Sequence, residues 1–249
     1  MIAADRAGAA CPALDEDHHI HSTFSTDAVS TLEQNVAAAQ RLGLRVICLA
    51  DHVRRDSTWV PEFTTAVARL RPTAGVRLLA GVEAKILDVS GRLDLPGDLP
   101  GVDRVLIADH QFPGEYGPVH PRDLRAALAS GQRSPAEVID GLITATGRAL
   151  AQVARPQLAH LFSLLPKVGL DEAQVPGPAL DQLARAAHRA AACVEVNEKW
   201  GCPSGRVIRA MAGAGVRLVA STDSHDCAAV GGYQRVRRIL DEAFTAAEA

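Results

Sequence analysis

The residues best equipped for chemistry in this chain are histidines and carboxylates whose positions repeat. His19 and His21 form an i, i+2 pair, and Asp223 and His225 form another. Side chains two apart on an extended strand share a face, so each pair can grip one ion together. His52, His110, His160 and Glu83 stand at the ends of further apolar runs. Unrelated structural histidines have no reason to gather at strand ends, whereas ligands converging on one centre must. Imidazole and carboxylate suit zinc, manganese or iron, and a set without thiolates disfavours iron–sulfur chemistry. The pattern predicts a metal-dependent hydrolase with one polynuclear site.

Such ligands need a scaffold that brings several strand ends together. Short apolar runs at 18–21, 45–50, 77–85, 104–108, 157–160, 193–197 and 217–221 read as strands. They alternate with helical patterns at 31–42, 135–150, 179–192, 204–214 and 233–247, the signature of repeated βα units around a parallel sheet. Seven parallel strands imply a distorted (β/α)7 barrel, with the site at the carboxyl ends. The first helix is predicted to open on Ser30, with Glu33 as its capping-box partner and Gly43 as its stop. Segment 88–101 reads as a hairpin or loop extension, and 114–121 as a loop that overlies the site.

The 249 residues suit one barrel domain, expected over 15–249 after a flexible tail at 1–14. Only 4% of residues are aromatic while 47% are hydrophobic, so small aliphatic side chains must fill the core. The net charge of −3 and the lack of a basic run argue against nucleic acid or anionic membrane as a partner. Five cysteines without C-x-x-C spacing, and no apolar leader or membrane span, point to the reducing cytoplasm.

The ordered motifs are Asp17-His18-His19-Ile20-His21-Ser22, Ala50-Asp51-His52, Gly81-Val82-Glu83, Asp109-His110, Ala159-His160, Glu195-Val196-Asn197 and Ser221-Thr222-Asp223-Ser224-His225. Over nearly the whole chain this series resembles the polymerase and histidinol phosphatase (PHP) superfamily. That resemblance implies a distorted seven-stranded barrel and two or three divalent ions of zinc, manganese or iron. It assigns His19, His21, Glu83 and Asp223 to one ion, and Asp27, His52 and His225 to a second. A third would take the other Glu83 oxygen with His110 and His160. Ala50 departs from the threonine common before Asp-His, at a position that is not a ligand.

The resemblance further implies a stand-alone, histidinol-phosphatase-like phosphoesterase acting on a small phosphomonoester through a metal-bridging hydroxide, with Glu83, Asp223 and His225 as the catalytic set. Bound divalent ions lower the pKa of water from roughly 16 toward about 7. A phosphodiesterase or nuclease of the same superfamily, and a non-catalytic metal-binding barrel, are the alternatives; the first needs a basic or aromatic groove, the second a missing ligand. Lys199, Asn197, Arg54 and Arg206, with Arg55 and Lys85 beside them, are the candidates for substrate contact, Lys199 foremost. Asp17 and Asp51 read as acceptors that orient imidazoles or as loop caps. His18 reads as structural, His188 as a helix-surface residue, and His120 as the one remaining histidine able to reach a substrate. Glu195 and Asn197 share a face, so burial would require hydrogen bonds for them.

Overall fold

The computed structural model describes residues 11–245. Its seven-stranded sheet contains β1 (Glu16–Ile20), β2 (Val46–His52), β3 (Arg77–Lys85), β4 (Arg104–Ala108), β7 (Pro156–Ala159), β8 (Cys193–Asn197) and β9 (Arg217–Ser221), all parallel and in that order. A ribbon of β5 (Phe112–Pro113) and β6 (Pro118–Val119) stands apart. The helices are α1 (Leu32–Arg41), α2 (Val60–Leu70), α3 (Pro121–Ala129), α4 (Pro135–Ala149), α5 (Leu164–Lys167), α6 (Gly177–Arg189), α7 (Gly205–Gly213) and α8 (Arg235–Phe244).

Period-two alternation sorts each strand into an outer face that meets the helices and an inner face that climbs toward the site. On β2, Ile47 and Leu49 join the apolar layer under α1 and α2, while Cys48 and Ala50 face inward below His52. On β4, Leu106 and Ala108 precede His110 in the same way. Gly81, two residues before Glu83, is required by this crowding: a Cβ there would lie 2.8 Å from the Cys48 sulfur. The inner layer of Cys48, Ala50, Leu106, Ala108 and Ala159 is thus built from mostly small side chains, and aromatics are not needed to fill it.

The barrel closes between β1 and the residues after β9. His21 N donates to the Ser224 carbonyl at 2.8 Å, and Asp223 N to that of His19 at 2.9 Å. Fully buried Asp17 fastens this seam, accepting from Thr222 N (3.0 Å), Thr222 Oγ1 (2.6 Å), Gly231 N (3.0 Å) and His19 N (3.4 Å). Burial, opposed by those hydrogen bonds, pushes its carboxyl up to about 6.

Several boundaries differ from the sequence expectation. β2 runs on through His52, and His160 and His21 stand just beyond their strands. The cap of α1 is Thr31 with Gln34, one residue later than Ser30 with Glu33; Gly43 does adopt a positive φ of 67°. Helices α2 and α3 were not anticipated, and α8 is described only to Phe244, so the expected extension to Ala247 lies partly outside the described residues. Most of the expected tail, residues 1–10, also lies outside them, whereas Leu14 packs on the main core. Segment 88–101 is a loop extension pinned by an antiparallel bridge between Ile86 and Leu93. Residues of the 114–121 loop line a cleft of their own with Arg133, not the one over the histidines.

Asp17→Ala leaves the Thr222 and Gly231 donors without acceptors in a buried seam. It should lower unfolding free energy by about 3 kcal/mol, read by chemical denaturation. A loss within error of wild type would show that the seam does not depend on this clasp.

Candidate metal centre

Glu83, 2% exposed, is the point on which the strand ends converge. Its Oε1 lies 2.8 Å from His160 Nε2 and 3.1 Å from His110 Nε2. Its Oε2 lies 2.8 Å from His52 Nδ1, 3.4 Å from His21 Nε2 and 3.5 Å from His19 Nε2. His21 Nε2 is also 3.4 Å from Asp223 Oδ1. The exposed Asp27 closes the outer side, its Oδ2 3.3 Å from His52 Nε2 and 3.4 Å from His225 Nε2. All nine residues expected as ligands therefore meet in one place.

The second ring nitrogens are tied down from behind, which fixes where the first ones point. His19 Nδ1 is 3.0 Å from Glu195 Oε1, His160 Nδ1 is 3.2 Å from Asp109 Oδ1, and His21 Nδ1 is 3.3 Å from Ser25 Oγ. His225 Nδ1 donates to the Asp223 carbonyl at 3.0 Å. Glu195 itself is held by Gln157 (2.6 Å), Asn197 (3.0 Å) and His160 N (3.2 Å), and Asp109 by Ser163 (2.7 Å). Two of the expected ligands sit in the left-handed region, His160 at φ 31° and Asp223 at φ 53°. Such strain, of order 1–3 kcal/mol per residue, persists where surroundings over-determine it.

The donor set fits divalent ions. Glu83 Oε2 is buried with three imidazole nitrogens around it, yet none makes a hydrogen bond to it. The ring nitrogens of His19 and His21 face each other at 2.9 Å. Ligands about 2.1 Å from a tetrahedral ion are about 3.4 Å apart, close to most of the separations seen. Three groups have their ligand atoms within 4.8 Å of one another: His19 with His21 and Asp223, His21 with His52 and His225, and His52 with Glu83 and His110.

Electrostatics alone leave these groups far from ordinary titration. Burial would lower His160, but its bonds to Asp109 and Glu83 push it up to about 10. Burial likewise opposes His19 and His52, and neighbouring carboxylates raise both. His21, buried beside His19, is instead driven down to about 3. Glu83 and Asp223 are held well below the carboxylate range against burial, chiefly by the His110 and His19 charges and by His19 respectively. Burial and the Lys199 charge lower His225.

A match to the PHP domain family model spans residues 17–246. The chain belongs to the PHP domain family. Its curated relatives include a "probable phosphatase" of Enterobacter sp. (strain 638), 26% identical over 242 residues, covering 91% of this chain and 84% of the relative. Another, from Shewanella sediminis, is 29% identical over 240 residues, covering 91% and 85%. Among solved structures, histidinol phosphate phosphatase of Lactococcus lactis, complexed with zinc, L-histidinol and phosphate, superposes with a TM-score of 0.66. It is 17% identical, over 92% of this chain and 93% of that one, a likeness of fold. This PHP barrel carries His19, His21, His52, His110, His160 and His225 at or just beyond the carboxyl ends of its strands.

The substrate candidates separate into those near the centre and those elsewhere. Arg54 and Lys85 line a cleft of about 770 Å3 over His52, Glu83 and His110, with Phe24 and Trp59 on its wall. Lys85 pairs with Asp94 at 3.5 Å, and Asp94 also holds Arg55 N. Lys199 Nζ lies 3.3 Å from Asp223 Oδ1 and 3.3 Å from His225 Nδ1. Arg206 leaves the set, because its guanidinium donates to the Glu172 and Val175 carbonyls. Asn197 is fully buried between Glu195 and Trp200 N, a brace for the site's wall. His120 caps α3 by accepting from Arg122 N, and is not brought to the centre. Asp51 grips Ser22 at 2.6 and 2.8 Å, so both it and Asp17 hold loops more closely than rings. Sequence reasoning passed over Trp200, whose Nε1 donates to Asp223 Oδ2 at 2.9 Å, and Lys167, whose Nζ lies 3.8 Å from the indole centroid. It also passed over Asp109 as an anchor, although Asp109 immediately precedes the expected ligand His110.

An ion entering this set must displace protons from His19, His52 and His160. Metal affinity should therefore rise with pH from 6 to 10, with release of about one proton or more per chain at pH 7. Calorimetry in buffers of different ionisation enthalpy reads this directly; no release would contradict the raised imidazoles. In metal-stripped protein the sign for His160 runs the other way. Its pKa is raised on folding, so its contribution to stability is full below about pH 6.5 and is lost as pH rises toward 10.

Proposed function

We propose that this PHP-family chain is a metal-dependent hydrolase that cleaves a small phosphomonoester. The observation that carries the reading is the Glu83 carboxylate, with one oxygen turned to His110 and His160 and the other to His19, His21 and His52. That arrangement suits a carboxylate shared between two or three ions of zinc, manganese or iron. Ions held there would supply Lewis acidity toward phosphoryl oxygens and acidify a water. The names of its relatives, and the histidinol and phosphate bound by the Lactococcus enzyme, agree with this chemistry.

The chain's own groups then have definite tasks. Asp223, ionised throughout the neutral range, accepts a hydrogen bond from the attacking water at Oδ1 while Trp200 fixes Oδ2. Lys199 and Lys167, both over the Trp200 ring, supply cationic donors for the phosphoryl oxygens. Burial lowers Lys167, while the nearby Asp109 and Asp223 carboxylates act to keep it charged. The leaving group occupies the cleft of Phe24, Trp59, Arg54 and Lys85. As water attacks, its oxygen bonds to phosphorus and the ester P–O bond breaks; one proton of the water ends on the departing oxygen and the other stays with the phosphate.

Glu83→Gln keeps the side chain's shape and removes its charge. It should cost about one or two equivalents of metal and roughly two or more orders of magnitude in turnover, with circular dichroism unchanged. Lys199→Ala should keep its metal and raise KM. A folded Glu83→Gln enzyme with full metal content and near-normal rate would remove Glu83 as the shared ligand. Small monoesters should outrun oligonucleotides in a competition assay, because the described surface near the centre carries few cations in a row; the reverse ranking would favour the nuclease alternative.

A further inference from the structure

The opposite end of the barrel carries charge that the metal centre does not use. Three of the seven strands open on arginine, at Arg77, Arg104 and Arg217, and Arg155 stands directly before β7. With Glu16, His18 and Asp103 they line a cleft of about 340 Å3, toward the lower end of the roughly 300–1,000 Å3 typical of small-molecule sites. The four arginines face two carboxylates that already have other partners. Asp103 holds Arg71 at 2.5 Å and Ala80 N at 2.8 Å. Glu16 is shared by His18 (2.8 Å), Arg45 (3.3 Å) and Arg217 (3.8 Å). Among the described residues, Arg77 and Arg155 form no ion pair. In a chain of net charge −3, this is a local excess and no reflection of composition.

A second observation points to a ligand. His18, 1% exposed, lines this cleft, and its Nδ1 has no hydrogen-bond partner. Buried Arg104 Nε has none either, although its NH1 donates to Gln157 at 2.9 Å and to the Cys193 sulfur at 3.1 Å. Buried polar groups are ordinarily paired, so both atoms call for a partner. Guanidinium forks match tetrahedral oxyanions. The imidazole narrows the choice: His18 Nε2 donates to Glu16 at 2.8 Å, which leaves Nδ1 as an acceptor. The ligand must therefore offer acceptor oxygens to the arginines and one O–H to the histidine. Hydrogenphosphate has both at neutral pH; sulfate and a dianionic phosphomonoester lack the O–H.

We propose that the amino-terminal mouth of the barrel binds inorganic hydrogenphosphate between Arg77, Arg104, Arg155 and His18. This site is separate from the metal centre and does not depend on the reaction proposed there.

The test titrates inorganic phosphate into the metal-loaded full-length protein by calorimetry, beside an Arg77→Gln/Arg155→Gln double variant. Both side chains are exposed and carry no hydrogen bond among the described residues, so the variant should fold and hydrolyse substrate at the wild-type rate. One class of phosphate binding should weaken by about tenfold or more in the variant, while any binding at the metal centre persists. Sulfate should compete for that class at least about tenfold less well than phosphate. Identical phosphate isotherms for the two proteins, or equal competition by sulfate, would overturn the proposal.

Discussion

The architecture depends on one buried carboxylate. Removing a charge from water costs several kcal/mol even after relaxation, and Glu83 is 2% exposed. Five imidazoles, drawn from the ends of β1, β2, β4 and β7, offset that cost by approaching its two oxygens. The arrangement is only half satisfied by hydrogen bonds, since Oε2 is surrounded without receiving one. Cations held there would resolve this, because the converging atoms would then be ligands instead of competing acceptors.

This demand propagates downward through the barrel. For His52, Glu83 and His110 to reach a common point, the strands beneath them must approach closely, which accounts for Cys48, Ala50, Gly81 and Ala108 on the inner face. It propagates outward as well. Glu195, Asp109 and Ser25 hold the far nitrogens of the rings, and Gln157, Asn197 and Ser163 hold the first two of those anchors in turn. Anchors of this kind set ring orientation to a fraction of an ångström, the tolerance that catalytic geometry requires.

Period-two alternation made most of this legible in the sequence. The strands Arg77–Lys85, Arg104–Ala108, Cys193–Asn197 and Arg217–Ser221 occur where their apolar runs place them, because a buried parallel strand has few other ways to look. Helix α2 escaped notice because Pro61 and two threonines disguise a helical start, and α3 because His120-Pro121 looks like a loop. In α1, two adjacent hydroxyl residues left the cap ambiguous by one position, and the hydrogen bonds chose Thr31. Residues for substrate contact were less legible for a different reason. A cation's role depends on what its head group meets after folding: Arg206 meets carbonyls, Lys199 meets Asp223, and Lys167 meets an indole that no spacing rule connects to it.

An irregularity in the pairing of β1, between Asp17 and Ile20, divides labour along the strand. Consecutive residues there face opposite ends of the barrel: Glu16 and His18 line the amino-terminal cleft, whereas His19 and His21 face the candidate metal centre. A one-residue slip in pairing would place His18 where His19 must meet Glu83. The strand's own pairing with β2 is irregular between Asp17 and Ile20, so the ladder alone defines that register weakly. What fixes it is the seam on the other side, where Asp17 takes three donors from Thr222 and Gly231 and the His19 carbonyl receives Asp223 N. The closure of the barrel and the presentation of two candidate metal-ligand pairs are therefore a single structural event, and the residue that secures both, Asp17, is not itself among the expected ligands.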